Sequence, residues 1–197
     1  MNRHPSTLAL ARALMLALLL LAAGNLNAST RTPPDPELRN ALVKAVNSAD
    51  SFKDRFDAEV WLMDMSQRLQ KRVPDSHERL DLLKRVHYEA KRAKLPPEMV
   101  LAVIEVESNF NRWAISGVGA QGLMQVMPFW LKEIGRAGDS LFSVKTNLRM
   151  GCTILQYYLK KEKGDWNRAL MRYNGSLGRF KYPNKVLLKL RQKWFRR

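Results

Sequence analysis

Glu107 is the residue of this sequence whose surroundings best suit acid chemistry. Val100, Val103, Ile104 and Glu107 follow the i, i+3, i+4, i+7 spacing of one helical face. Glu107 also lies in the last turn of that predicted helix, where the helix dipole disfavours negative charge. Because both effects favour the protonated form, we expect the pKa of Glu107 to lie above its usual range. A carboxylic acid that keeps its proton near neutral pH can protonate the leaving oxygen of a glycosidic bond.

The position of Glu107 alone leaves a second interpretation open, since most glutamates at helix ends are exposed and only solvated. Glu105 leaves the helix about 200° away, at ~3.6 residues per turn. We expect it to be a structural ion-pair partner of a basic residue.

The glycine-containing turn that follows Glu107 favours the catalytic interpretation. Glycines at 117, 119 and 122 allow a backbone to approach a ligand closely. Ser116 can hydrogen-bond the acid, and Gln125 can bond an acetamido or hydroxyl group. Met124 offers a flat, adaptable apolar contact. This turn is therefore a candidate sugar-binding segment.

Other kinds of site find little support. The sequence has no glycine-rich phosphate loop of either common type and no serine in a nucleophile elbow. His77 and His87 make a poor metal site, and we expect the single cysteine, Cys152, to be buried and inert. We predict neither a metal nor a cofactor.

The charge balance and the first residues predict an exported protein with an anionic partner. The chain of 197 residues has 34 Lys+Arg against 18 Asp+Glu, a net charge of +16. Residues 13–23 carry no charge and follow Arg3 and Arg12, which is typical of a signal-peptide core and too short for a membrane span. We predict cleavage near Ala28, no lipid attachment, and a periplasmic location in a Gram-negative bacterium. Export argues against nucleic acid as the partner.

The periodicity is helical almost everywhere, so we predict an all-α fold. Residues 1–28 are assigned to the signal peptide, 29–75 to a leader with accessory helices, 76–180 to a catalytic domain and 181–197 to a basic C-terminal helix. The predicted helices include residues 37–48, 58–73, 122–134, 146–161, 166–173 and 185–195, with others starting at Ser76 and Pro97.

Three motifs in order resemble the lytic transglycosylases with a soluble-transglycosylase (SLT) domain. They are Glu107-Ser108-Asn109-Phe110 with residues 114–128, then residues 147–151, and then Tyr173-Asn174-Gly175. The resemblance covers roughly half of the chain, from about residue 80 to residue 177. It implies a goose-type lysozyme-like fold and cleavage of the glycan strands of peptidoglycan.

The resemblance also implies roles for individual residues. It assigns the catalytic acid/base to Glu107. Supporting and sugar-binding roles fall on five residues that match the family's motif positions: Ser116, Met124, Gln125, Tyr173 and Asn174. Phe129-Trp130, Arg172 and Gly175 depart from the common pattern, which leaves the fine substrate preference open.

The implied reaction breaks the β-1,4 bond between N-acetylmuramic acid and N-acetylglucosamine and forms a 1,6-anhydro end. Ordinary glycosidases use two carboxylates, whereas later acids such as Asp139 and Asp165 have no motif support here. In the implied mechanism the substrate's acetamido group takes the second role. The expected partners are peptidoglycan strands and other envelope proteins, with no nucleotide, and the chain is expected to be a monomer. A hydrolytic muramidase and a non-catalytic wall-binding protein remain alternatives.

Overall fold

Seven α-helices and one π-helical turn make up the part of the chain that the structure, a computed structural model, describes: residues 54–195. In chain order they are α1 (Arg55–Leu69), α2 (Ser76–Arg92), α3 (Pro97–Ser108), α4 (Phe129–Ile134), α5 (Val144–Lys161), α6 (Trp166–Tyr173), α7 (Lys181–Lys189) and the π-helical turn Leu190–Trp194. Between residues 54 and 195 the only β-type pairings are two isolated bridges, Ile115–Gln121 and Gln121–Val126. The predicted all-α class is therefore confirmed.

The predicted signal peptide and the predicted helix 37–48 lie outside the described residues. Within residues 54–195, no helix is both long enough and apolar enough to cross a membrane.

Most of the helices begin at a side chain that caps free backbone N–H groups. Asp54, Asp75, Ser143 and Asp165 each accept a bond from the N–H group three residues later, at the starts of α1, α2, α5 and α6. Helix α3 instead begins with Pro97, whose fixed φ suits a first helical turn and whose lack of an N–H costs nothing there.

Helix α3 lies at the centre of the fold. Every residue from Met99 to Glu105 is buried, as its nearly uncharged sequence predicts. The helix packs against α2, α7 and the π-helical turn. The seven residues Met99–Glu105 are therefore fixed by the core, and Glu107 follows them in the last turn of the same helix.

The predicted helix over residues 122–134 is wrong in its first half. Helix α4 begins only at Phe129, and residues 122–127 form turns. Gly122 has φ +76° and Gln125 has φ +48°, both in the left-handed region that ends a helix. The side chain of Asn147, a residue of α5, holds this turn at the Met124 N–H.

Within the predicted C-terminal segment 181–197, the helix begins four residues earlier than the apolar pattern over 185–195 predicts. Helix α7 starts at Lys181 and passes into the π-helical turn at Leu190. Pro183 lies in the first turn, where its missing N–H has no helical partner to lose. The apolar pattern alone did not reveal this start, which brings Tyr182 into the helix.

Candidate active site

Glu107 lies in the last turn of α3 and is partly buried. The helix ends at Asn109, which has φ +50° and donates its N–H to the carbonyl oxygen of Glu105. The Oε1 atom of Glu107 accepts a hydrogen bond of 2.5 Å from the hydroxyl group of Tyr182. Burial raises the pKa of Glu107 to about 7, and the bond from Tyr182 offsets part of that rise. The predicted upward shift of this pKa is confirmed.

Tyr182 is a site residue that the sequence reasoning missed. It is 8% exposed, and burial together with the charge of Glu107 raises its pKa well above the usual range. Its hydroxyl group therefore stays protonated and acts as a donor. Tyr182 and Val186 are both buried at i, i+4 spacing on α7, and this apolar pair is the signal that could have placed Tyr182 on an inward face.

Tyr173 and Asn174 follow one another at the end of α6 but lie in different surroundings. The Tyr173 hydroxyl donates a bond of 2.7 Å to the carbonyl oxygen of Met124. Burial, and next the charge of Glu107, raise the pKa of Tyr173. Asn174 is exposed, and its backbone N–H caps the end of α6. The structure thus brings Tyr173 into the electrostatic surroundings of Glu107 and leaves the Asn174 side chain at the surface.

Met124 and Gln125 lie in the turn that follows α3. The Met124 side chain is fully buried against Gly151 of α5 and so packs the turn onto that helix. It does not form the predicted apolar contact surface for a sugar. The Gln125 side-chain nitrogen donates to the carbonyl oxygens of Ala114 and Gly122, at 3.1 and 3.0 Å. These two bonds fix the orientation of the Gln125 amide.

Ser116 closes its own turn. Its Oγ atom accepts the Ala120 N–H at 3.0 Å, and its backbone N–H donates to the Ala120 carbonyl at 2.9 Å. Among the described residues no hydrogen bond joins Ser116 to Glu107, so the expected bond to the acid is not formed. The hydroxyl group that contacts the carboxylate belongs to Tyr182.

Two side chains without an assigned role join the candidate turn to the helices around it. Asn147 accepts the Met124 N–H at 2.8 Å and donates to the Gln121 carbonyl at 2.8 Å. Ser108, next to Glu107, donates to the Leu123 carbonyl at 2.8 Å. Both residues belong to the motifs quoted above, and the structure gives them an anchoring function.

The later acids singled out in the sequence hold loops and helix ends. Asp139 accepts bonds from the Arg136 N–H, the Thr146 hydroxyl and the Arg149 guanidinium, which outweigh its desolvation and lower its pKa. Asp165 caps α6. Both carboxylates are therefore engaged in the structure of the chain.

Metal-ligating and thiol groups of the described chain are not gathered at a site. Residues 54–195 hold no group of three or more His, Cys, Asp or Glu side chains placed to bind a metal ion. Cys152 is buried, and desolvation raises the pKa of its thiol. This agrees with its expected inertness.

The described residues form an all-α unit in which the Glu107 carboxyl group lies partly buried at the end of α3. Residues 85–187, about half of the chain, match the family described as the Transglycosylase SLT domain. The chain belongs to this family, and the resemblance stated from its motifs is confirmed. The match reaches into α7 and so includes Tyr182 as well as Glu107.

Two curated relatives each match a little under half of the chain. A transglycosylase of Enterobacteria phage PRD1 is 35% identical over 100 residues, covering 47% of this chain and 37% of the phage protein. Membrane-bound lytic murein transglycosylase C of Mannheimia succiniciproducens is 36% identical over 101 residues, covering 45% of this chain and 28% of that protein. The chain thus spans less than half the length of the curated relatives it matches.

Among solved structures, an inactive mutant of the lytic transglycosylase Slt from Pseudomonas aeruginosa has a TM-score of 0.46 at 27% identity. That match covers 72% of this chain and 24% of the other. The soluble lytic transglycosylase SLT70 from Escherichia coli has a TM-score of 0.44 at 24% identity, covering 77% and 25%.

Proposed function

We propose that this chain is a peptidoglycan lytic transglycosylase in which Glu107 is the general acid and then the general base. The observation that carries the proposal is the partly buried Glu107 carboxyl group, whose pKa burial raises to about 7. Near neutral pH such a group exists in both protonation states, as a residue that first gives and then takes a proton requires. Membership of the SLT family and the similarity to a transglycosylase and to a lytic murein transglycosylase support the same activity.

The proposed reaction conserves all atoms of the substrate. Glu107 donates its proton to the oxygen that links N-acetylmuramic acid to N-acetylglucosamine, and the bond from C1 of the muramic acid to that oxygen breaks. The carbonyl oxygen of the 2-acetamido group bonds to C1. The Glu107 carboxylate then removes the proton of the 6-hydroxyl group, whose oxygen displaces the acetamido oxygen and closes a 1,6-anhydro ring. No water is consumed, and Glu107 is protonated again.

The surroundings of the other acids support this single-acid chemistry. Hydrolysis with two carboxylates needs a second acid on the far side of the scissile bond. Glu105 is bound to the indole N–H of Trp194 and to the Arg72 guanidinium, at 2.7 and 2.9 Å. Asp139 and Asp165 are engaged in loop and helix-end bonds. In the proposed reaction, as the family resemblance implies, the acetamido group of the substrate supplies the nucleophile.

The proposed substrate site includes the five other motif residues. Asn174, with its exposed side chain, and Gln125, with its fixed amide, are the proposed hydrogen-bonding groups for the sugar. Met124 and Tyr173 support the floor of the site through the bond between the Tyr173 hydroxyl and the Met124 carbonyl. Ser116 shapes the turn beside them.

Replacement of the acid tests the proposal. Glu107→Gln removes the transferable proton and keeps the side-chain shape, so cleavage of purified peptidoglycan should fall by at least about 100-fold. Glu133→Gln, which changes an exposed glutamate of α4, is the matched control and should cleave normally. Undiminished cleavage by Glu107→Gln would show that another group is the acid. If the natural sequence binds peptidoglycan without cleaving it, the wall-binding alternative is correct.

We also propose that the chain is exported to the cell wall in which its substrate lies. The apolar run at residues 13–23 and the small residue Ala28 support this location. Protein recovered from the periplasm of expressing cells should begin at Ser29, and N-terminal sequencing would measure this. A full-length chain in the cytoplasm would contradict the proposed export.

A further inference from the structure

An ionic cluster centred on the buried Glu105 joins α3 to the end of the described chain. The Glu105 side chain is 2% exposed, and its Oε1 atom lies 2.9 Å from Arg72 Nη2 and 3.2 Å from Lys189 Nζ. Its Oε2 atom accepts the Trp194 indole N–H at 2.7 Å and lies 3.6 Å from Lys193 Nζ. Three of these four partners come from residues 189–194.

The same C-terminal segment, defined here as Lys181–Lys189 together with Leu190–Trp194, contains Tyr182. Glu105 and Glu107 are two positions apart on α3, so their side chains leave the helix about 200° apart. The C-terminal segment reaches both carboxylates, one through its ionic residues and the other through the Tyr182 hydroxyl. Residues near the two ends of one segment thus contact the two carboxylates.

The charges in this cluster depend on one another. Burial raises the pKa of Glu105, but Lys189, Lys193, Trp194 and Arg72 together lower it, so the side chain stays ionised. Lys193 Nζ is buried and has no hydrogen-bond partner among the described residues. Since an uncompensated buried charge is strongly unfavourable, Glu105 is the group that allows the buried Lys193 ammonium to pack against α3.

We propose that Glu105 is a positioning residue: it fastens the C-terminal segment to α3 and so holds the Tyr182 hydroxyl on Glu107. The catalytic meaning of this contact rests on the proposed function, in which Glu107 is the acid. The contact itself exists without substrate and can be measured without turnover.

Removing the Glu105 charge can change the pKa of Glu107 in two ways, and the two changes have opposite signs. Glu105→Gln keeps the side-chain shape and an oxygen that can accept the Trp194 N–H. If Glu105 acted only through its charge, its loss would favour the ionised form of Glu107 and lower the pKa of that group. If it positions Tyr182, the loss of the Tyr182 hydrogen bond would raise the pKa of Glu107 above about 7.

The other titratable groups around Glu107 do not contribute to a change in its pKa by titrating in the same pH range. They are Tyr182 of α7 and Tyr173 of α6, and burial followed by the charge of Glu107 raises the pKa of both well above the usual range. Both tyrosines therefore stay neutral while Glu107 titrates.

Carbon-13 NMR titration of the Glu107 carboxyl group tests the proposal, with its signal assigned by its loss in Glu107→Gln. Tyr182→Phe should raise the pKa of Glu107, and Glu105→Gln should raise it in the same direction. The double variant should show no further rise beyond Tyr182→Phe. Glu89→Gln removes a buried, ion-paired carboxylate of α2 and is the matched control, which should leave the pKa unchanged. A fall, or no change, in Glu105→Gln would overturn the proposal.

A second variant tests the same proposal if Glu105→Gln does not fold. Trp194→Phe keeps an aromatic ring and the Glu105 charge but removes the 2.7 Å bond, so it should also raise the pKa of Glu107. An unchanged pKa in this variant would count against the positioning role. If the natural sequence fails to cleave peptidoglycan while these shifts occur, the proposed function is wrong and the positioning role stands.

Discussion

At the scale of the residue, Glu107 is difficult to ionise in the folded chain. Burial moves its pKa from 4.5 to about 7, whereas an unfolded chain exposes the carboxyl group to water. A raised folded-state pKa contributes stability that is fully present below about pH 4.5 and is lost as the pH rises through 7. The group suited to acid chemistry is therefore one that destabilises the fold at higher pH.

Replacing Glu107 should show this loss of stability at higher pH in the absence of substrate. Glutamine resembles the protonated acid, so Glu107→Gln should raise the free energy of unfolding at pH 8 by up to about 3 kcal/mol, given the shift from 4.5 to about 7. The gain should disappear near pH 4. Urea unfolding at both pH values measures it, with Glu133→Gln as the control. Equal stability at pH 8 would mean that the Glu107 carboxylate is well solvated.

The surroundings of single residues were predictable where they depend on local spacing. The raised pKa of Glu107 follows from its place on an apolar face at a helix end, which the sequence contains. The Tyr182 contact joins residues 75 positions apart, and no local pattern encodes such a pairing. Ser116 was given the role of bonding the acid, but its hydroxyl group is used within its own turn.

At the scale of the element, α5 holds the turn that follows the acid. Asn147 bonds the backbone at Gln121 and Met124, and Gly151, one turn along the same helix, leaves space for the Met124 side chain. A methyl group at Gly151 would lie 2.5 Å from Met124 Sδ and 2.7 Å from Met124 Cβ. The turn and α5 therefore fit only because position 151 has no side chain.

Adding that methyl group should disturb the turn. Gly151→Ala should destabilise the fold by about 1–3 kcal/mol through overpacking, even though alanine favours a helix by about 1 kcal/mol. Gly117→Ala is the matched control, because nothing lies within 4 Å of a methyl group there and its φ is not in the left-handed region. Thermal unfolding compares the two variants. Equal melting temperatures would contradict the close packing of Met124.

The helices were predictable where their ends are marked by nearby residues. Residues 166–173 form a helix with the predicted bounds, because Asp165 caps its start. Pro97 likewise marks the start of α3. The turn at 122–127 was predicted as helix because its apolar residues look helical in isolation. What decides its shape is the bonding of Asn147 to its backbone, from more than twenty residues away.

At the scale of the whole molecule, the excess of basic residues has two separate uses. No acid follows Asp165, yet four of the basic residues beyond it form ion pairs with Glu162 or Glu105. Four others are exposed and form no ion pair among residues 54–195: Arg179, Lys181, Lys185 and Arg191. Among the described basic residues beyond Asp165, this second set is the one free to attract an anionic polymer.

Binding to peptidoglycan should therefore depend on salt and on this exposed set. The amount of protein that sediments with peptidoglycan should fall between about 0.1 M and 1 M salt, as the screening length falls from ~10 Å to ~3 Å. A triple variant with glutamine at Lys181, Lys185 and Arg191 should bind less at low salt. Its control carries glutamine at three exposed lysines of other helices and turns: Lys71, Lys91 and Lys160. Equal losses in both triple variants would mean that only the net charge matters.

The central claim is that Glu107 drives an intramolecular ring closure rather than an attack by water. Digestion of purified peptidoglycan in water enriched in oxygen-18, followed by mass spectrometry of the fragments, measures this directly. We expect 1,6-anhydro-muramic acid ends with no added oxygen-18, and no such ends from Glu107→Gln. Reducing ends that carry one oxygen-18 would show a hydrolase and contradict the proposed reaction.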